Sequence, residues 1–278
     1  MRFKVLVMVI VLLLVSSCAT TPTKEGIRIG INYEELMPKI SSIGVINDVC
    51  IARDVTGNDN YYSIEDSKIA AFFMLEAVKA YLKQKGYQVN FQFSPFVGAF
   101  KLPSQIFKVS AQKEGEVLYK FAPFYIFESL NSNEAYKNAL IRVISQVLHS
   151  IAQKNKSPSE ILMSNRKIRE SLKIIADQTN TDIILFLIGH GAIVPKGKSI
   201  AQGVATGLAT AILTLGTVSV TYYDVSYLDT FAGLIDLKKG EILWSNSLRL
   251  KKGNLTGRDY YLKRWSESIL YHIPSKNE

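Results

Sequence analysis

Few side chains in this sequence could do chemistry. His190 stands between Gly189 and Gly191, just after the apolar run 183–188. Strand ends are common places for sites, and an imidazole there could act as a general base. No nucleophile can be assigned to it: there is no G-x-S-x-G elbow, no P-loop and no H-E-x-x-H. His149 sits in an apolar helical stretch and His272 near the C-terminus. With two cysteines in the chain, these three histidines make no metal-ligand spacing, so neither a metal nor another cofactor is expected. Gly203-x-x-x-Gly207 lacks the G-x-G-x-x-G spacing of a dinucleotide loop. A non-enzymatic protein is therefore predicted.

The most specific signal is at the N-terminus. Arg2 and Lys4 form a short basic leader, and residues 5–15 are an unbroken apolar run. That run is too short for a membrane span, which needs about 20 residues, but it fits a secretion signal. It ends in Val15-Ser16-Ser17-Cys18, which resembles the bacterial lipobox. The resemblance implies removal of residues 1–17, a diacylglyceryl thioether on Cys18 and acylation of the new amine. Several acyl chains at ~0.8 kcal/mol per buried methylene make a lasting anchor. Residues 18–27 are small and polar and read as a tether. Ala19 is not aspartate, and by analogy with enteric sorting this places the protein in the outer membrane, facing the periplasm. Cys50 then has no partner thiol in the chain and reads as a buried small hydrophobe.

Removing Arg2 and Lys4 lowers the formal charge of +9 by two. The remaining excess favours anionic headgroups or acidic cell-wall polymers, and an exported lipoprotein is not expected to meet nucleic acid. Lys196 and Lys198, Lys238 and Lys239, and Lys251 and Lys252 read as solvated turns.

Residues 28–278 read as one α/β domain: a mixed sheet of about five strands with four or five helices packed on it. A strand is expected at 40–48. A helix follows from the capping sequence at Ser63 to about Lys85, with Gly86 as its left-handed cap. A strand at 87–93 completes the unit. Val117 to Phe121 suggests a strand in the proline-broken stretch 94–130, where Phe121, Phe124, Tyr125 and Phe127 read as core. Helices are expected at 133–154 and from Pro158 to about Gln178, with a doubly buried strand at 182–189. The stretch 199–223 carries no charge. Gly203, Gly207 and Ala211 there form a small-residue stripe that would let another backbone approach closely. Residues 227–250 read as a β-hairpin, in which Asp236 can bond turn amides, Gly240 allows a positive φ, and Trp244 anchors the core beside Ile242. A helix at 258–273 closes the chain.

The motif Ile235-Asp236-x-x-x-Gly240-x-x-Leu243-Trp244, together with the helix end Lys83-x-Lys85-Gly86-Tyr87, resembles bacterial outer-membrane lipoproteins. These are relatives of the periplasmic domain of the curli-secretion lipoprotein and of the lipoprotein activators of cell-wall synthases. The likeness covers residues 40–93 and 160–273, and 94–158 depart from it. It implies a membrane-anchored envelope protein that serves as an assembly, scaffold or regulatory factor and has an envelope protein partner or forms a homo-oligomer. An oligomeric secretion-channel component is the alternative, and a cell-wall or lipid hydrolase a third reading.

Overall fold

The computed structural model describes residues 27–53, 61–101, 103–110, 116–152, 162, 165–193, 226–251 and 260–276. Lipidation at Cys18, the small-residue stripe Gly203, Gly207 and Ala211, and the whole uncharged stretch 199–223 lie outside these residues.

The α/β class holds, but the sheet is larger than expected. Ten strands join it among the described residues: β1 (Arg28–Ile29), β2 (Ser42–Arg53), β3 (Tyr61–Ser63), β4 (Gln88–Val97), β5 (Ile106–Ser110), β6 (Val117–Phe121), β7 (Tyr125–Ile126), β8 (Ile183–Ile193), β9 (Tyr227–Asp236) and β10 (Glu241–Lys251). The main path runs β1-β10-β9-β8-β2-β3-β5-β6. β4 pairs with the first part of β2, and β7 pairs with β4. β6 is the strand suggested at Val117 to Phe121, and the additional strands β1, β3, β5 and β7 are short pieces with too few residues to show a clear period of two. β2 lies parallel to both β4 and β8, whereas β8, β9 and β10 form an antiparallel series.

Five α-helices are described: α1 (Tyr33–Leu36), α2 (Ile64–Gln84), α3 (Glu134–Ala152), α4 (Arg166–Thr179) and α5 (Tyr260–Ile269). α2 and α5 cover one face of the sheet. Met74, Val78 and Leu82 meet Trp265 and Ile269 there, over Val45, Leu185 and Leu234. α3 and α4 cover the other face, with Leu140, Val143, Leu172 and Ile175 over Ile46, Phe186 and Ile235. The sheet's centre is therefore buried on both sides, which explains the near-continuous apolar reading of β8.

The helix ends follow local chemistry. The Ser63 hydroxyl accepts the Asp66 amide at the start of α2, but the Asp66 carboxylate turns to Arg53 instead of closing a capping box. Gly86, at φ +89°, ends that helix. α4 begins later than expected, because the Asn165 side chain accepts the Lys167 and Ile168 amides and caps it. The expected start at Pro158 lies outside the described residues. Ile242 and Trp244 do not share a face. A register shift between them in the β9–β10 ladder sends Ile242 to the α3–α4 side and Trp244 to the α2–α5 side.

Candidate functional site

Four neighbouring strands place one polar residue each in a single row. The parallel register of β2 and β8 sets Cys50 beside His190, β8 and β9 set His190 beside Asp229, and β9 and β10 set Asp229 beside Arg249. Paired residues share a sheet face, so all four side chains point the same way. Asp48 lies on that face too, two residues before Cys50. Cys50, His190 and Asp48 are wholly buried, and Asp229 nearly so.

Aromatic rings roof the row. The rings of Tyr62, Phe100 and Tyr227 lie 6.0, 6.4 and 6.4 Å from the His190 ring. Phe124 stacks on Tyr62 at 5.1 Å, and Phe107 meets Phe124 edge-on at 5.2 Å. The turn after β4 is tied down from below, as the Asp48 carboxylate accepts the Gly98 amide at 2.8 Å and the Phe100 amide at 3.0 Å. Gly98 has φ +77°, and a Cβ there would meet the Phe124 ring at 2.8 Å. Next in the turn is Lys101, itself buried, with its ammonium 4.9 Å from the Tyr62 ring centroid and 5.2 Å from that of Phe100.

Burial controls the ionisation of this cluster. It raises the Asp48 carboxyl to about 7, against the pull of the backbone amides and of Lys101. It lowers Lys101 to about 8, against the attraction of Cys50 and Asp48. The Cys50 thiol is pushed far up, so a thiolate is not formed near neutrality. His190 is held well below its ordinary pKa, first by burial and then by the Lys101 and Arg249 charges.

Cysteine, histidine and aspartate in adjacent positions suggest a nucleophilic triad. The details oppose it. Neither His190 nitrogen has a hydrogen-bond partner. The Asp229 carboxylate is gripped by the Arg249 guanidinium, with Nη2 donating to Oδ2 at 2.7 Å. Its charge is answered by a cation, and it does not orient the imidazole. No group of three or more metal-ligating side chains occurs among the described residues. The arrangement is a closed, partly charged cluster in the core.

The hairpin residues sit apart from this cluster, at the opposite end of β9. The Asp236 carboxylate accepts the Lys238 and Lys239 amides, each at 2.9 Å, and Gly240 turns at φ +68°. Trp244 is fully buried. Of the other histidines, His272 lies at the surface, and no side-chain position is described for His149.

A second feature lies at the sheet's far edge. β5 and β6 form a two-stranded ribbon in which Ile106 faces Phe121, Lys108 faces Tyr119 and Ser110 faces Val117. Its inner face, with Phe107 and Val109, packs on the aromatic roof. Its outer face shows Ile106, Val117, Phe121 and Tyr119 to solvent, Tyr119 at 69 % exposure and Phe121 at 54 %. Phe121 and Phe127, expected in the core, are exposed, whereas Phe124 is buried and Tyr125 half-buried. Alternation decides Phe121: in a ribbon covered on one side, every second residue faces out.

No helix among the described residues is long and apolar enough to cross a membrane. No family model and no curated protein matches the chain. Among solved structures, the chain is similar to a PelC dodecamer from Paraburkholderia phytofirmans, at 9 % identity over 85 % of this chain and 91 % of that one, with a TM-score of 0.32. It is also similar to Lipoprotein GNA1162 of Neisseria meningitidis, at 12 % identity over 83 % and 97 % of the two chains, with a TM-score of 0.30. Superpositions this loose assign neither an activity nor a partner.

Proposed function

We propose that the protein is anchored by lipid on Cys18 to the outer membrane, faces the periplasm, and docks on an envelope complex as a non-enzymatic assembly or regulatory factor. The observation that carries docking is the β5–β6 ribbon. An edge strand with an uncovered apolar face is a surface that natural proteins normally blunt, and one that a protein partner would cover. The closed state of the His190 cluster supports a non-catalytic reading, since the strongest candidate base has no open approach and no orienting acid. The lipobox supports the anchor.

Light scattering of the detergent-extracted protein, followed by crosslinking in cells, tests the proposal. The expected result is a monomer whose crosslinks to an envelope protein are lost in the Tyr119→Ser/Phe121→Ser variant. Unchanged crosslinks in that variant would remove the ribbon from the argument. A discrete ring-sized oligomer would favour the secretion-channel reading, to which the uncharged stretch 199–223 also points. A hydrolytic activity that disappears in His190→Leu would overturn the non-enzymatic reading.

A further inference from the structure

The end of the sheet where β2, β8 and β10 begin collects lysines from four separate parts of the chain. Lys276 ties two of these parts together: its ammonium donates to the Pro38 carbonyl at 3.1 Å and its amide to the Lys85 carbonyl at 2.8 Å. Lys39 follows Pro38 and pairs with Glu35. Lys239, in the β9–β10 turn, lies close enough to Glu35 to help hold that carboxyl low. Lys238, beside it, pairs with Asp182 at 2.6 Å. α1 and the following turn Met37–Lys39 close this end. The Tyr33 hydroxyl donates to the His272 carbonyl at 2.6 Å and the Asn32 amide to Glu241 at 2.8 Å. Lys39, Lys85, Lys238, Lys239 and Lys276 thus share one surface with the exposed acids Glu34, Glu35 and Asp182; the lysines outnumber the exposed carboxylates, and two further acids at this end, Asp236 and Glu241, are buried.

Two large apolar side chains are exposed on the segments that close this end. Ile31, in the turn before α1, is 98 % exposed, and Tyr271, beside His272, is 65 % exposed. Ile31 is almost wholly in solvent and Tyr271 meets the His272 ring edge-on at 5.1 Å; both are side chains that settle at a headgroup boundary when lysines flank them. The tether reaches. Arg28 pairs with Ser245, four residues along β10 from Glu241, so the chain enters about 14 Å from this end at roughly 3.4 Å per residue. The nine residues from Cys18 to residue 27 span up to about 30 Å when extended.

We infer that this end of the molecule rests on an anionic bilayer surface, with Ile31 and Tyr271 at headgroup level and Lys39, Lys85, Lys239 and Lys276 over the anionic groups. The inference rests on the lipid anchor proposed above and adds an orientation to it. The β5–β6 ribbon then points away from the membrane, toward a periplasmic partner. Lysines near an anionic surface strengthen contact about fivefold each, and salt weakens it.

The test uses the exported full chain, reconstituted into phosphatidylcholine–phosphatidylglycerol vesicles that carry a quencher at headgroup depth. A fluorophore is attached through Ile31→Cys, Tyr271→Cys or, as the distant control, Tyr119→Cys. Cys50 is buried and does not compete for label. Labels at 31 and 271 are expected to be quenched at least threefold more than the label at 119. That contrast should collapse in pure phosphatidylcholine, at high salt, and in Lys239→Gln/Lys276→Gln. Equal or stronger quenching at 119, or a contrast indifferent to lipid charge, would overturn the orientation. Intact mass reads the anchor separately. If Cys18 carries no lipid, the anchor fails while flotation of the same chain with phosphatidylglycerol vesicles still judges the surface: salt-sensitive flotation supports it and none overturns it.

Discussion

His190 is neutral because its surroundings leave it no other choice. Burial among three rings comes first, and the Lys101 and Arg249 charges add to it. Its folded pKa therefore lies below that of the unfolded chain, so the unfolded state takes up the proton first and stability falls as pH drops below about 6.5. The slope from this one group approaches about 1.4 kcal/mol per pH unit until the folded pKa is reached. Asp48 works the other way: with its carboxyl raised to about 7, it contributes stability at low pH that is lost as pH rises from about 4 to 7. Comparing urea unfolding of the wild type with His190→Leu at pH 7 and pH 5 isolates the histidine. The wild type should lose more stability than the variant over that interval. Arg249→Met leaves Asp229 buried without its countercharge and should cost about 3 kcal/mol in the same measurement. Only part of this cluster was legible in the sequence. His190 stood out at a strand end, but its neighbours come from strands far apart in the chain, and only inter-strand register brings them together. The available signal was polarity in the wrong place: Asp48 and Asp229 each interrupt apolar strand sequence, whereas Arg249 follows the alternation of β10 and gives no such signal.

At the scale of elements, the β9–β10 hairpin and the β5–β6 ribbon behave oppositely under mutation. The hairpin is set by local chemistry. Asp236→Ala removes the acceptor for two turn amides and should cost about 1–2 kcal/mol, and Gly240→Ala forces a Cβ into a positive-φ position at about 1 kcal/mol. Thermal melting of each variant checks both. Trp244→Ala, deep between β10 and α5, should cost about 3–5 kcal/mol. The ribbon's outer face should tolerate change: Tyr119→Ser/Phe121→Ser is expected to alter unfolding free energy by no more than about 0.5 kcal/mol per site, while removing the partner crosslink. The turn sequence around Gly240 made the hairpin legible. The bulge between Ile242 and Trp244 was not, since one extra residue changes which face is buried without changing composition.

For the molecule as a whole, the two ends of the sheet are chemically unlike. One gathers lysines around α1 and the chain's first described residues. At the other, the polar row lies beneath its aromatic roof, with the apolar ribbon alongside. An anchor near the first and a partner on the second would make the domain a spacer between membrane and machine. A variant combining Lys239→Gln, Lys276→Gln, Tyr119→Ser and Phe121→Ser should therefore lose orientation and crosslinking independently, because the sites share no contact. Fluorescence quenching and crosslink yield read the two losses separately.

The sequence by itself determined what depends on neighbours in the chain: a lipobox-like N-terminus, the α/β class, the helix caps at Ser63 and Gly86, and the turn at Gly240. Tertiary structure decided what depends on neighbours in space. Among the described residues the sheet has ten strands, because short pieces such as β1, β3 and β7 join it through pairing and not through a pattern of their own. Cys50, His190, Asp229 and Arg249 became one row because strand register aligns them. Five lysines, two of which read as a solvated turn, became one surface because α1, a hairpin turn and the C-terminus meet there. Local propensity acts over a few residues, whereas register and docking are fixed by burial across the whole core, and a linear pattern does not carry them.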